Sequence, residues 1–401
     1  MIYEFEWPVR WVVGDEALDT LPTELQRLKS KRPLLLTDSV LSSLGLLKRV
    51  QNLLPAPQFE CLSFDAIPLE SDAEVLTKLF DFAVKEKVDA IVSLGGGSVL
   101  DSGKVLALML GYSEPDPTKL ESFEFYKERR MPHICLPTTS GTGSEAGHGA
   151  VIKKGNKKLL IAGPALYPHV AILDPVLTQT LPLRLTVATA IDAWTHSWEA
   201  LTSRQQNPLS SSIARWTLRK IPEALEQVIV HSNDSGINNS KLSKARLELA
   251  ESACLAGLSF THSMVGLAHS LAHSLAHLLP ISHGEAIGVF LPLSLSWNLL
   301  QGGVLESLGA ECMLWNVQTE SQLLERVFVL RNQFCTQVNL ALTAQAAGLK
   351  ESQIEELVQG ALLDGTSVFI RGHLPEPLLK KLVSWTFARS HWSLDDLRNL
   401  L

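Results

Sequence analysis

Four histidines fall within fifteen positions of one apolar segment, "GLAHSLAHSLAHLLPISHGE": His269, His273, His277 and His283. Twelve histidines in 401 residues would put roughly half of one in such a window by chance. Imidazole carries protons near neutral pH and is the commonest metal ligand, so the cluster points to metal binding, proton transfer or both. On a helix, residues four apart share a face, which allows His269 to pair with His273 or His273 with His277. His269 and His277 would be about 12 Å apart, too far to hold one ion through bonds near 2 Å. At most two helical imidazoles can then serve one metal, with His283 a further candidate beyond "LLPIS". Upstream, "DAWTH" sets Asp192 and His196 at the same i, i+4 spacing. A carboxylate with several imidazoles suits Fe²⁺ or Zn²⁺.

Two glycine-rich stretches suggest a second kind of chemistry. "SLGGGSVLDSGK" (93–104) follows a strand-like run and opens a helix-like one. Glycines there let backbone N–H groups approach an anion, and a helix N-terminus adds its positive end. It is not a Walker A loop, because the spacing from Gly97 to Lys104 is one residue too long and Val105 stands where Ser or Thr is needed. "LPTTSGTGSEAGHG" (136–149) supplies small hydroxyl groups after the next strand-like run, where open α/β sheets bind ligands. Asp38 ends "PLLLTD"; a carboxylate there could hydrogen-bond an adenosine ribose and repel a 2′-phosphate, favouring NAD over NADP. It precedes the glycines, unlike the usual dinucleotide fingerprint.

The elements that must position these residues change character along the chain. Runs at 33–37, 90–95, 133–137 and 170–174 read as buried strands, and 72–88 as an amphipathic helix between them. Strand and helix in alternation predict a mostly parallel, Rossmann-like sheet. Beyond about residue 182 helical spacing takes over, with helices expected over 208–230, 243–279, 284–301, 319–346 and 374–388. The expected division is an α/β domain over 1–180 and an all-helical domain over 181–401, with a cleft between them as the natural place for a small molecule. A net charge of −7 and the absence of basic clusters argue against nucleic acid or anionic lipid as partners. Five scattered cysteines, no CxxC and no basic leader predict a cytoplasmic protein, and the charge-free runs are too polar for membrane spans.

Taken together, "GGGS", "TTSGTGSE", "ILDPVLTQTLP", "DAWTHSWEA" and "HSLAHSLAHLLPISHGEA" make the chain resemble the iron-containing (group III) alcohol dehydrogenases, over residues of about 33 to 292. The resemblance implies the fold shared with dehydroquinate synthase: a dinucleotide-binding α/β domain and a helical metal domain. It implies Asp192, His196, His269 and His283 as metal ligands and His273 as a catalytic histidine beside substrate and nicotinamide. His277 matches no ligand and is read as packing. For NAD it implies Asp38 at the ribose, Gly95, Gly96, Gly97 and Ser98 at the pyrophosphate, and Thr138, Thr139 and Thr142 at phosphate or ribose. Asp101 matches the acid after the glycine loop, and Lys158 and Leu177 match residues of the same pocket. The expected activity is hydride transfer between NAD(H) and a small alcohol or aldehyde, with Fe²⁺ or else Zn²⁺, in a homodimer or larger assembly.

Some residues depart from the family pattern. Ile287 stands for an Asn, Ser274 for a Pro, and Gly147, His148 and Gly149 for bulkier residues near the substrate; "RGHLPEP" (371–377) replaces an Asn-Pro-Arg element. Polyol oxidation as in glycerol dehydrogenase, or a lyase reaction as in dehydroquinate synthase, are the alternatives on this fold. The lyase would need a basic pocket for a phosphorylated acid, and no Lys or Arg falls inside the metal motifs.

Overall fold

A computed structural model describes residues 2–120, 126–155, 157–232 and 240–401. By its contacts the chain divides into two compact units. One comprises Glu6–Leu181 with Ile237–Gly257; the other comprises Met1–Phe5, Pro182–Gly236 and Leu258–Leu401.

The first unit is built on six parallel strands. They are β1 (Arg10–Val13), β2 (Pro33–Leu36), β3 (Leu62–Phe64), β4 (Ala90–Gly95), β5 (His133–Pro137) and β8 (Val170–Leu173), in the spatial order β1-β8-β5-β4-β2-β3. Successive residues alternate between two apolar layers. Leu34, Leu36 and Ile91 join Leu76, Leu79, Val105 and Met109 on one face, while Leu35, Val92, Leu94 and Ile134 join Leu21, Leu25 and Val50 on the other. Burial on both faces is why the central strands read as unbroken apolar runs. β6 (Gly149–Lys154) and β7 (Lys157–Ala162) form a separate antiparallel hairpin.

The second unit is helical. The Leu183–Thr202 helix packs against the Pro208–His231 and His283–Leu300 helices, and Leu267–Leu278 packs against His283–Leu300 and Ile354–Leu363. Trp194 and Trp198 fill its interior, the Trp194 indole donating to the Leu218 carbonyl at 3.0 Å.

The expected single helix over 243–279 is two helices, Ser240–Thr261 and Leu267–Leu278. The break holds Met264 in the left-handed region at φ 66°. It frees the backbone N–H groups of Gly266 and Ala268, which a continuous helix would have used internally. The expected run over 319–346 stops at Gln337, followed by Asn339 at φ 56°. Among the described residues no helix is long and apolar enough to cross a membrane.

Candidate metal centre and glycine loops

Asp192, His196 and Glu199 occupy positions i, i+4 and i+7 of the Leu183–Thr202 helix, so one face carries all three. Opposite them the Leu267–Leu278 helix presents His269 and His273, and His283 begins the next helix. That helix comes in very close: a Cβ on Gly284 would stand 2.2 Å from the Ala188 carbonyl oxygen. Only glycine tolerates this approach, and Ala188 is one turn before Asp192 on its helix. The crossing thereby delivers His283 to the aspartate.

Three imidazole nitrogens converge on one carboxylate oxygen. From Asp192 Oδ1, His196 Nε2 is at 3.6 Å, His269 Nε2 at 3.5 Å and His283 Nε2 at 3.5 Å. These separations are too long for good hydrogen bonds. They match the edge of a tetrahedron about a metal with bonds of 2.0–2.1 Å, which is about 3.4 Å. Potential ligand atoms of Asp192, His196 and His269 all lie within 4.8 Å of one another. Asp192 Oδ1 and His269 Nε2 are buried and make no hydrogen bond, a costly arrangement that a cation between them would relieve. The donor set therefore fits a divalent ion.

The electrostatics agree. Burial opposes the Asp192 charge, yet His196, His283 and His269 hold its carboxyl well below the usual range. Burial likewise works against a charge on His269, but Glu199 and Asp192 outweigh it and raise the imidazole to about 9. The two buried carboxylates thus favour positive charge at His269, and a divalent ion on its Nε2 would supply that charge in place of the ring proton. His283 is 39% exposed on its side chain and His273 35%, so the cluster is open on that side and closed at Asp192 and His269.

Glu199, which helical spacing alone does not single out, sits behind His269. Its Oε2 lies 2.6 Å from His269 Nδ1 and accepts from the Gly266 N–H at 2.7 Å; its Oε1 accepts from the Ala268 N–H at 2.6 Å and from Ser294 Oγ at 2.8 Å. A carboxylate on Nδ1 fixes the proton there and leaves Nε2 free to bind a metal. The signal was present: after Arg184, Asp192 and Glu199 are the only charged residues of that helix.

His273 stacks on His283, with ring centroids 5.3 Å apart, and its Nδ1 lies 2.8 Å from Asp364 Oδ2. His277, expected to pack, is exposed. It falls in the last turn of a helix ending at Leu278, where a histidine faces water and the negative helix end.

In the other unit the two glycine-rich stretches meet. Gly95 ends β4, and the Gly97–Tyr112 helix starts immediately after Gly96. The Thr138 N–H donates to the Gly95 carbonyl at 3.0 Å. Thr139 and Thr142 sit directly against the loop: a Cβ on Gly96 would lie 3.2 Å from Thr139 Cγ2, and one on Gly97 2.9 Å from Thr142 Cγ2. The Ser98 hydroxyl donates to the Leu69 carbonyl. Asp38, partly exposed after β2, accepts from the Leu41 N–H at 2.9 Å.

Three expected contacts of this region have other engagements. Both Asp101 oxygens are occupied, by Ser144 Oγ at 2.7 Å and by the Val151 N–H at 2.9 Å, so Asp101 ties the loop to β6. Lys104 aids it by donating to the Gly149 carbonyl at 2.9 Å. Leu177 is sealed in the apolar layer at 1% exposure. Lys158, on β7, pairs with Glu70 at 3.4 Å.

Residues 8–175 match the family described as iron-containing alcohol dehydrogenase, and residues 186–370 match the C-terminal part of the Fe-containing alcohol dehydrogenase family. The chain is 31% identical over 358 residues to long-chain-alcohol dehydrogenase 1 of Geobacillus thermodenitrificans (strain NG80-2), covering 87% of this chain and 88% of that one. It is 29% identical over 364 residues to the NAD-dependent methanol dehydrogenase of Bacillus methanolicus, covering 89% and 92% respectively. The crystal structure of a 1,3-propanediol oxidoreductase superposes with a TM-score of 0.87 at 25% identity, covering 96% of this chain and all of that one.

Proposed function

Because the chain belongs to the iron-containing alcohol dehydrogenase family and is an oxidoreductase acting on alcohols, we propose that it moves hydride between NAD(H) and a small alcohol or aldehyde at a metal held by Asp192, His196, His269 and His283. The observation that carries this reading is the convergence of three imidazole nitrogens on Asp192 Oδ1 at 3.5–3.6 Å. Iron is the ion expected from the family, with Zn²⁺ compatible with the same ligands. Bound there, a divalent ion would polarise an alcohol oxygen or an aldehyde carbonyl as a Lewis acid.

The side chains have separable duties. Glu199 keeps the proton on His269 Nδ1, so that Nε2 offers its lone pair to the ligand cluster. Backbone N–H groups of the Gly95–Ser98 turn, at the start of the Gly97–Tyr112 helix, suit a pyrophosphate. Thr138, Thr139 and Thr142 stand beside that turn as hydroxyl donors. Asp101 and Lys104 brace the loop from behind. His273, reachable from solvent, takes the alcohol proton through Nε2 and returns it in the reverse direction.

The balance is alcohol and NAD⁺ to aldehyde, NADH and a proton. Net NADH formed from simple alcohols by protein loaded with Fe²⁺ or Zn²⁺ tests the proposal, and no turnover of any alcohol or aldehyde would overturn it. Asp38 supplies a narrower test, since its carboxylate would repel a 2′-phosphate. Asp38→Gly is expected to raise the kcat/KM ratio of NADP to NAD by at least about tenfold, the equivalent of losing about 1.4 kcal/mol of discrimination. An unchanged ratio removes Asp38 from the ribose site.

A further inference from the structure

Resting on the reading of His273 as the proton carrier, we propose that Asp364 is its positioning residue, fixing the Nδ1–H tautomer and the ring plane so that Nε2 does the proton transfer. The two residues are 91 positions apart, and their contact depends on a short series of local structures.

Asp364 closes the Ile354–Leu363 helix and caps the following turn, Gly365–Phe369. Its Oδ1 is engaged by the Thr366 N–H at 2.9 Å and the Thr366 hydroxyl at 2.6 Å. That grip sets the carboxylate plane and leaves Oδ2 for His273 Nδ1 at 2.8 Å. The carrying helix is itself held close to the histidine helix. A Cβ on Gly360 would lie 2.3 Å from Ser274 Oγ, and Ser274 is the residue after His273. A side chain at position 360 would displace the Ser274 hydroxyl and crowd Ser274 Cβ at 3.1 Å, so Gly360 favours the close spacing across which Asp364 reaches.

A carboxylate can only accept, so its partner nitrogen must carry the hydrogen. Burial works against the charge on Asp364, but His273 and Thr366 hold its carboxyl down at about 2. It is therefore an acceptor throughout the neutral range. With Nδ1 committed, Nε2 is the nitrogen free to take a proton. Asp364 acts through His273, whereas Glu199 makes the same kind of bond to a metal ligand.

The test combines kinetics with ¹⁵N NMR of the histidine rings in zinc-loaded and in metal-free protein. The wild-type His273 is expected as the Nδ1–H tautomer in its neutral form, with Asp364→Asn giving a mixture. In the same variant kcat is expected to fall about 10- to 100-fold, while the KM values for alcohol and NAD and the bound metal change by less than about twofold. A kcat for Asp364→Asn within about twofold of wild type overturns the inference. So does an Nε2–H tautomer in the wild-type protein, a result that stands even if the variant fails to fold. His273→Ala separates this proposal from the one beneath it. Full activity in His273→Ala sinks both, whereas an impaired His273→Ala beside a fully active Asp364→Asn sinks the positioning role alone.

Discussion

His269→Ala is expected to release the metal and to lower alcohol turnover by more than about 100-fold while NAD binding survives. The ring is 3% exposed and stands 3.5 Å from Asp192 Oδ1, so its loss removes a donor from the closed side of the cluster. Loss of a group that merely orients a ligand costs about 10- to 100-fold in metal affinity, and loss of the ligand itself must cost more. The glycine turn and the three threonines belong to the other compact unit and are untouched by the substitution. Metal analysis after gel filtration, paired with NAD titration, reads both halves of the expectation. A variant that keeps its metal at wild-type stoichiometry would remove His269 from the ligand set.

Glu199→Ala should damage stability as well as metal affinity. One buried carboxylate there is shared by two backbone N–H groups, the Ser294 hydroxyl and the His269 ring. Removing it leaves four buried polar groups without their partner and deprives the Leu267–Leu278 helix of the acid at its N-terminus. A loss of about 3–5 kcal/mol is expected, as for other buried charge partners removed singly. Metal affinity should fall about 10- to 100-fold as His269 loses its fixed tautomer. Denaturant unfolding and competitive metal titration measure the two effects separately. Unfolding at the wild-type denaturant concentration would show that this network does not hold the helix.

The parts of this chain that could be read from sequence are those where one physical demand acts on neighbouring residues. β2, β4, β5 and β8 lie within one residue of the apolar runs that predict them, because strands buried on both faces must be apolar throughout. Edge strands β1 and β3 are short and partly exposed, so they leave no such run. The β6–β7 hairpin is closed by lysines that resemble any solvated loop. Asp192 and His196 were legible from their helical spacing. Geometry alone would have paired His269 with His273. His283 Nε2 lies 3.5 Å from Asp192 Oδ1 because Gly284 lets its helix close onto Ala188, a contact no local pattern announces. Asp364 is not legible in the sequence for the same reason: its partner is distant in sequence and its own neighbours suggest only a turn. The family motifs supplied what spacing could not, the choice among four histidines.

In the proposed scheme, alcohol chemistry takes place at one divalent ion held by Asp192 and three imidazoles. The most direct measurement strips the folded protein with a chelator and follows alcohol-dependent NADH formation as Fe²⁺ is added back. The rate should start near zero, rise in proportion to added ion and level off at one ion per chain. Stripped protein that oxidises alcohol as fast as the loaded form would contradict the account.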